Sequence, residues 1–240
     1  PHFVMYVIEE LEQTYGQEYL KNSGLTIITS LNWELQQEAQ KIVLEWAEKN
    51  EKRFRAKNAA LVALDPKSGE ILSMVGSRDY FDKENDGNVN VTTRLRQPGS
   101  SFKPFAYAAA FERGYTPDTI VFDVETNFGV QGAEEYIPGN YDEKFRGPVT
   151  FKEALAQSIN VPAVKILYLA GLADTINLAH SLGIRSLKND PSHYGLSLVL
   201  GGGEITLLEE TAAYGVFSQE GVYNEPEAIL KITSKEGEIL

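Results

Sequence analysis

The apolar positions of residues 4–15 recur at helical spacing and stop at Gly16, which predicts an opening helix with a glycine C-cap. Residues 25–30, Leu-Thr-Ile-Ile-Thr-Ser, form a short β-rich run. Asn32 is placed to cap a helix over residues 33–54, whose apolar face reads as Leu35, Ala39, Ile42, Val43 and Trp46. Residues 59–64 and 70–75 are strand-like and flank Asp65-Pro66-Lys67-Ser68-Gly69, the composition of a hairpin turn. The nearly unbroken apolar run 59–64 suits a strand covered on both faces. Residues 80–91 are polar and rich in Gly and Asn, a loop.

In the second half, residues 105–111 are apolar nearly all round, which predicts a buried helix closed by Gly114. Pro104 is tolerated only in a first helical turn, so that helix starts near Ser100 and Ser101. Residues 118–148 read as loop with short strands. Thr150 and Glu153 make a capping box for a helix reaching about Ser158, and Val161-Pro162 starts another. Ser158 and Asn160 then fall on the connection, free to point into a cleft, although Asn160 could simply cap the second helix. Gly201-Gly202-Gly203 precedes a second capping box, Thr206 and Glu209. The triplet lacks the Lys-Ser/Thr ending of a phosphate loop and implies tight packing near the sheet. Residues 227–233 and 236–240 look like the start of another hairpin.

A length of 240 residues accommodates one large domain, or one domain with an appendage. The net charge of −12 argues against a nucleic-acid partner and disfavours unaided adsorption to anionic lipid. Without cysteine there is no disulfide, thiol catalysis or thiolate metal site. The three histidines, His2, His180 and His193, are too dispersed to suggest a metal centre. No apolar run approaches the length of a membrane span, and no signal peptide is visible.

The candidate chemistry lies in Arg96-Gln97-Pro98-Gly99-Ser100-Ser101-Phe102-Lys103-Pro104-Phe105. If Ser100 opens the buried helix, Lys103 follows one turn later on the same face. A serine hydroxyl needs an adjacent base to act as a nucleophile, and a lysine can supply one when burial lowers its pKa. The helix N-terminus adds N–H groups for developing negative charge. The bland alternative, a solvated Ser and Lys on a helix surface, fits poorly with a lysine heading a buried helix.

Residues 97–105 resemble the Ser-x-x-Lys motif of penicillin-binding transpeptidases, specifically the bifunctional class A penicillin-binding proteins. Ser158-Ile159-Asn160 resembles the family's Ser-x-Asn element and follows Ser100 by a family-like span. The blocks Tyr141 to Thr150, Leu200 to Thr206 and Ala212-Ala213-Tyr214 are similar to the family in the same order. The family's third motif, Lys-Thr-Gly, has no match, since Lys231-Ile232-Thr233-Ser234-Lys235-Glu236-Gly237 departs from it. The chain is therefore read as stopping before that motif.

The resemblance implies an α/β (α+β) fold of the penicillin-binding transpeptidase and serine β-lactamase type. It has an antiparallel central sheet, helices on both faces, and C-terminal strands missing here. It divides the chain into a linker region, 1–57, and an incomplete transpeptidase domain, 58–240. It implies acyl transfer from D-Ala-D-Ala stem peptides of peptidoglycan, and covalent capture of β-lactams. Catalysis would fall to Ser100, Lys103, Ser158 and Asn160, and substrate binding to Gly99, Ser101 and Tyr141. Whether Lys103 is the acylating base stays open at this point. No cofactor or metal is implied. The family's membrane anchor and glycosyltransferase domain would precede this segment, on the extracytoplasmic side of a bacterial membrane. The competing readings are an inert truncated module and a serine β-lactamase. The second lacks a Glu-x-x-Leu-Asn segment after Asn160.

Overall fold

A computed structural model describes residues 1–131 and 134–240. In chain order the first elements are α1 (His2–Tyr15), α2 (Gln17–Ser23), β1 (Thr26–Thr29), α3 (Trp33–Phe54), β2 (Leu61–Leu64) and β3 (Ile71–Val75). Next come α4 (Lys103–Glu112), β4 (Ile120–Asp123), β5 (Val130–Gln131), β6 (Glu134–Glu135), β7 (Gly147–Thr150) and α5 (Phe151–Ala156). The chain continues through α6 (Asn160–Ala170), α7 (Leu172–Ser181), α8 (Pro191–Tyr194), α9 (Leu207–Ser218) and β8 (Ile229–Thr233). Helices alternate with antiparallel strand pairs, a mixed α and β architecture. The chain divides into two compact units, residues 1–95 with 206–240, and residues 96–205. No single described helix is long and apolar enough to cross a membrane.

In the first unit the expected hairpin is present, β2 antiparallel to β3 from Leu61↔Val75 to Leu64↔Ile71. Its strands are unequally buried, β3 largely and β2 half, but β2 is packed on both faces as expected: Val62 and Leu64 lie against one buried cluster and Ala59 and Leu61 against another. Phe3, Val7 and Leu11 of α1 pack with Ile71, Met74, Leu208 and Ala228 as the unit's core.

Asn32 caps α3 as its sequence suggests, accepting from the Leu35 amide at 3.0 Å. The buried stripe of α3 is, however, Gln36, Ala39, Val43 and Ala47, while Leu35, Ile42 and Trp46 are exposed. Gln36 causes the offset. Its Oε1 accepts from the Met74 amide and the Ser73 hydroxyl, both at 2.9 Å, and its Nε2 donates to the Met74 carbonyl at 3.2 Å. A polar side chain thus completes the free edge of β3, and it hides the buried stripe from a count of apolar residues.

The C-terminal strand also has an unexpected partner. β8 runs antiparallel to β1, with Thr26↔Thr233 and Ile28↔Lys231, and residues 236–240 add one bridge, Thr233↔Ile239. Strand-like composition identifies a strand but not the edge it joins.

The second unit is built around two buried helices. Phe102, Phe105, Ala106, Tyr107, Ala109 and Ala110 pack towards Val161, Ala163, Val164, Ile166 and Leu167, all nearly inaccessible. The alanines let the α4 and α6 backbones approach closely, and each fully buried Phe contributes roughly 2 kcal/mol of transfer free energy. Phe151, which opens α5, meets the Tyr107 ring edge-on at 5.8 Å. The predicted Thr150–Glu153 capping box is formed. β4 and β7 pair from Ile120↔Thr150 to Asp123↔Gly147, and Arg96 and Ile205 exchange backbone hydrogen bonds at the ends of the unit.

Candidate active site

The Pro-Gly turn does what its composition suggests. Gly99 has φ +64°, and residues Gly99–Phe102 wind a 3₁₀ turn that continues into α4, with Pro104 in the first α-helical turn. Ser100 therefore stands at the head of a continuous helical stretch. Ser100 is exposed, and among the described residues its hydroxyl has no hydrogen-bond partner and its amide is bonded to no backbone carbonyl. The Ser101 hydroxyl donates to the Pro98 carbonyl at 2.7 Å, so it braces the turn.

One turn on, Lys103 is completely inaccessible. Its Nζ donates to the Ser158 carbonyl at 2.6 Å, to Asn160 Oδ1 at 2.8 Å and to the Ser158 hydroxyl at 3.1 Å. The structure thus brings Lys103, Ser158 and Asn160 together from two segments 55 residues apart. Burial lowers the Lys103 pKa to about 8. An ammonium removed from water loses solvation that a neutral amine scarcely needs. Two of the three acceptors are carbonyl oxygens, which can only accept. The third is a hydroxyl, so a deprotonated Lys103 keeps both carbonyl bonds and turns its lone pair to Ser158 Oγ.

Ser158 reaches this position by adopting φ +52°, a left-handed conformation unusual for a side-chain-bearing residue. Its amide bonds back to the Leu155 carbonyl at 2.9 Å, ending α5. Asn160 is the first residue of α6 and does not cap it, since its side-chain oxygen is engaged by Lys103. Tyr141 is fully exposed and bonds none of these groups among the described residues, but it lines a 220 Å³ depression shared with Asp142, Arg146, Gln157, Ser158 and Asn160.

Sequence reasoning missed Asn140 and Asp123. Asn140 Oδ1 accepts from the amides of Asn160 and Val161, both at 3.1 Å, and Asp123 is a fully buried carboxylate bonded to the Asn140 side chain. The available signal was Ile159: a helix preceded by an apolar residue must find an acceptor for its first N–H groups elsewhere. The glycine triplet packs tightly, as expected, but against the Gly99 turn and its own hairpin of chain rather than against a sheet. A Cβ on Gly201 would lie 2.5 Å from Gly99 Cα, and one on Gly203 would strike Leu187 and Leu198. Two of the three histidines brace loops: His2 bonds the Gly87 carbonyl and His180 the Leu187 carbonyl. Lys231 and Thr233 lie on β8 and pair with β1.

The model of the penicillin binding protein transpeptidase domain matches residues 59–238. Penicillin-binding protein 1A of Aquifex aeolicus is 40% identical over 182 residues, 75% of this chain and 24% of that protein. Penicillin-binding protein 2D of Bacillus subtilis is 31% identical over 245 residues, 100% of this chain and 34% of that protein. The chain thus spans about a quarter to a third of the length of these relatives. Its fold matches the crystal structure of penicillin-binding protein 1A from Haemophilus influenzae with a TM-score of 0.87 at 23% identity, over 100% of this chain and 49% of that one. It also matches PonA1 from Mycobacterium tuberculosis in complex with penicillin V, with a TM-score of 0.78 at 23% identity, over 99% of this chain and 63% of that one. With the family model covering most of its length and a lysine-serine-asparagine cluster at the head of a buried helix, this chain belongs to the penicillin-binding protein transpeptidase family.

Proposed function

We propose that this chain carries the acyl-transfer centre of a serine-type peptidoglycan DD-transpeptidase, and that β-lactams acylate the same serine. The observation that carries the reading is the buried Lys103, bonded to Ser158 and Asn160 one turn after the exposed Ser100 hydroxyl.

In this reading Ser100 Oγ attacks the carbonyl carbon between two terminal D-alanines, and its proton passes to neutral Lys103 Nζ as the lysine lone pair turns from Ser158 Oγ to receive it. The Ser100 amide, free at the start of its helical turn, stabilises the oxyanion. As the C–N bond breaks, Ser158 relays a proton to the departing D-alanine amine, and an ester to Ser100 remains. An amine from a second stem peptide then forms a new C–N bond, the ester C–O bond breaks, and the proton returns to Ser100 Oγ. Asn160 orients Lys103 or meets the substrate amide, and Gly99, Ser101 and Tyr141 border the substrate. None of these steps calls for a metal or organic cofactor.

Residues 1–57 serve as a linker region and 58–240 as the transpeptidase domain. The partners are peptidoglycan stem peptides, with a glycosyltransferase domain upstream in the same protein. The site of action is the extracytoplasmic face of the cytoplasmic membrane. The association of PonA1 with penicillin V supports the β-lactam part. The test is incubation of this chain, and of the longest product of its gene, with a fluorescent penicillin, followed by peptide mass mapping. A covalent adduct on Ser100 that Ser100→Ala abolishes supports the reading. Labelling unchanged in Ser100→Ala, or absent from both proteins, sinks it.

A further inference from the structure

We propose that Asn140, held by the buried Asp123 carboxylate, is a positioning residue that fixes the first turn of α6 so that the Asn160 amide meets Lys103. Its consequence for catalysis rests on the acyl-transfer reading above; its consequence for the placement of Lys103 does not.

The start of α6 has an accounting problem. Ile159, at the N-cap, offers no side-chain acceptor, and Pro162 has no amide hydrogen. The two remaining N–H groups, of Asn160 and Val161, both find Asn140 Oδ1, at 3.1 Å each. One side chain from a distant loop therefore replaces the missing cap.

The same side chain leaves no freedom in how it is oriented. Asn140 Nδ2 donates to Asp123 Oδ1 and to the Lys144 carbonyl, both at 2.8 Å. All four hydrogen-bonding positions of the amide are thus used, and reversing it would set its NH₂ against two amides. Asp123 is equally committed: its second oxygen accepts from the Arg146 amide at 3.0 Å and faces the Arg146 guanidinium at 3.5 Å. Donation from Asn140 to a buried carboxylate polarises the amide and strengthens its oxygen as an acceptor.

The adjacent residue completes the arrangement. Asn160 Nδ2 donates to the Gly139 carbonyl at 3.2 Å, which leaves Oδ1 to accept from Lys103 at 2.8 Å. Residues 139 and 140 therefore set both the backbone position of Asn160 and the orientation of its amide. Neither touches Lys103 directly.

The experiment compares this chain with Asn140→Ala and with the reciprocal double variant Asp123→Asn/Asn140→Asp. The swap keeps an acceptor at the head of α6 and a donor facing it from position 123. Three quantities are measured: the acylation rate with fluorescent penicillin, the titration of Lys103 by ¹³Cε NMR, and thermal unfolding. Asn140→Ala is expected to acylate on the order of ten- to a hundredfold more slowly, as a misplaced catalytic group does. The apparent penicillin dissociation constant should change little, and the Lys103 titration should move. The swap is expected to recover part of the rate, because its carboxylate oxygen faces the Lys144 carbonyl where Asn140 Nδ2 donated. A folded Asn140→Ala with the parental rate and parental Lys103 titration overturns the proposal, as does a folded swap no faster than Asn140→Ala. Should Asn140→Ala not fold, the swap decides alone by the same rate criterion against the parent. A parent that forms no adduct removes the acyl-transfer reading instead, and the Lys103 titration then decides the placement by itself.

Discussion

Gly201 stands directly against Gly99, so that a Cβ on Gly201 would lie 2.5 Å from the Gly99 Cα and closer still to its nitrogen. Both glycines have positive φ, +93° and +64°. The turn that presents Ser100 is therefore seated on a second turn with no side chain between them. Gly201→Ala must both strain its own backbone and push the Gly99 turn away. The expected result is a folded protein, destabilised by about 1–3 kcal/mol, whose penicillin acylation falls on the order of a hundredfold. Gly202→Ala presses on Ser197 instead and should lose stability without that selective loss of rate. Stopped-flow acylation beside thermal unfolding of the two variants checks the distinction.

The acylation rate should rise with pH in step with loss of the Lys103 proton, half-maximal near the pKa of about 8 that burial imposes. The same shift affects stability, with a definite sign. Unfolded Lys103 titrates near its ordinary 10.5. Between about 8 and 10.5 the unfolded chain thus binds more protons than the folded one, and stability contributed by this residue rises with pH. Below 8 the lysine is charged in both states and its burial costs about 3 kcal/mol. Relative to Lys103→Met, the parent should gain stability by about that amount as pH climbs from 7 to 10.5. Urea unfolding of both proteins across this range measures it; a constant difference would show that the buried ammonium carries no such cost.

How much of this site was legible follows from what each residue does locally. Ser100 and Lys103 could be read because a helix start is written in adjacent residues, Pro98, Gly99 and Pro104. The Ser158–Asn160 connection could be read because a capping box and a Val-Pro start bracket it. Asn140 could not, because its oxygen serves N–H groups 20 and 21 residues away and no local rule connects them. Gln36 is missing from the predicted apolar face of α3 for a related reason: its amide satisfies the edge of β3, 37 to 38 residues distant, and periodicity counts only apolar positions. The pairing of β8 with β1 joins residues near opposite ends of the chain. Local physics predicted the elements; the missed features are those in which one element completes the hydrogen bonding of another.

Tyr107 lies one turn beyond Lys103, and its hydroxyl is buried without a hydrogen-bond partner among the described residues. Burial also raises its pKa, so the group remains a neutral phenol at any working pH. A buried hydroxyl with no partner costs about 1–3 kcal/mol of lost solvation. Tyr107→Phe keeps the ring, including its edge-on contact with Phe151, and removes only that cost. The variant should unfold about 2–12 °C higher than the parent, given the shift expected per kcal/mol for a chain of this size. Its acylation rate should be unchanged. A lower melting temperature would mean that the hydroxyl has a partner, such as a buried water.

Ser158 separates stability from chemistry. Its left-handed backbone, φ +52°, turns both its carbonyl and its hydroxyl towards Lys103, and such a conformation costs a residue with a Cβ roughly 1 kcal/mol. Ser158→Gly loses the hydroxyl contact with Lys103 but relieves that strain and keeps the carbonyl bond, so the two effects offset and the folded state should be about as stable as the parent. Ser158→Ala loses the same contact and retains the strain, so it should be the less stable of the two by about 1 kcal/mol. Both lack the one partner of Lys103 that can donate a proton, and both should acylate more slowly by on the order of a hundred- to a thousandfold. The informative result is the pairing: Ser158→Gly with undiminished stability and collapsed acylation. If Ser158→Gly instead labels at the parental rate, the hydroxyl is not in the proton path, and Lys103 must exchange its proton with Ser100 alone.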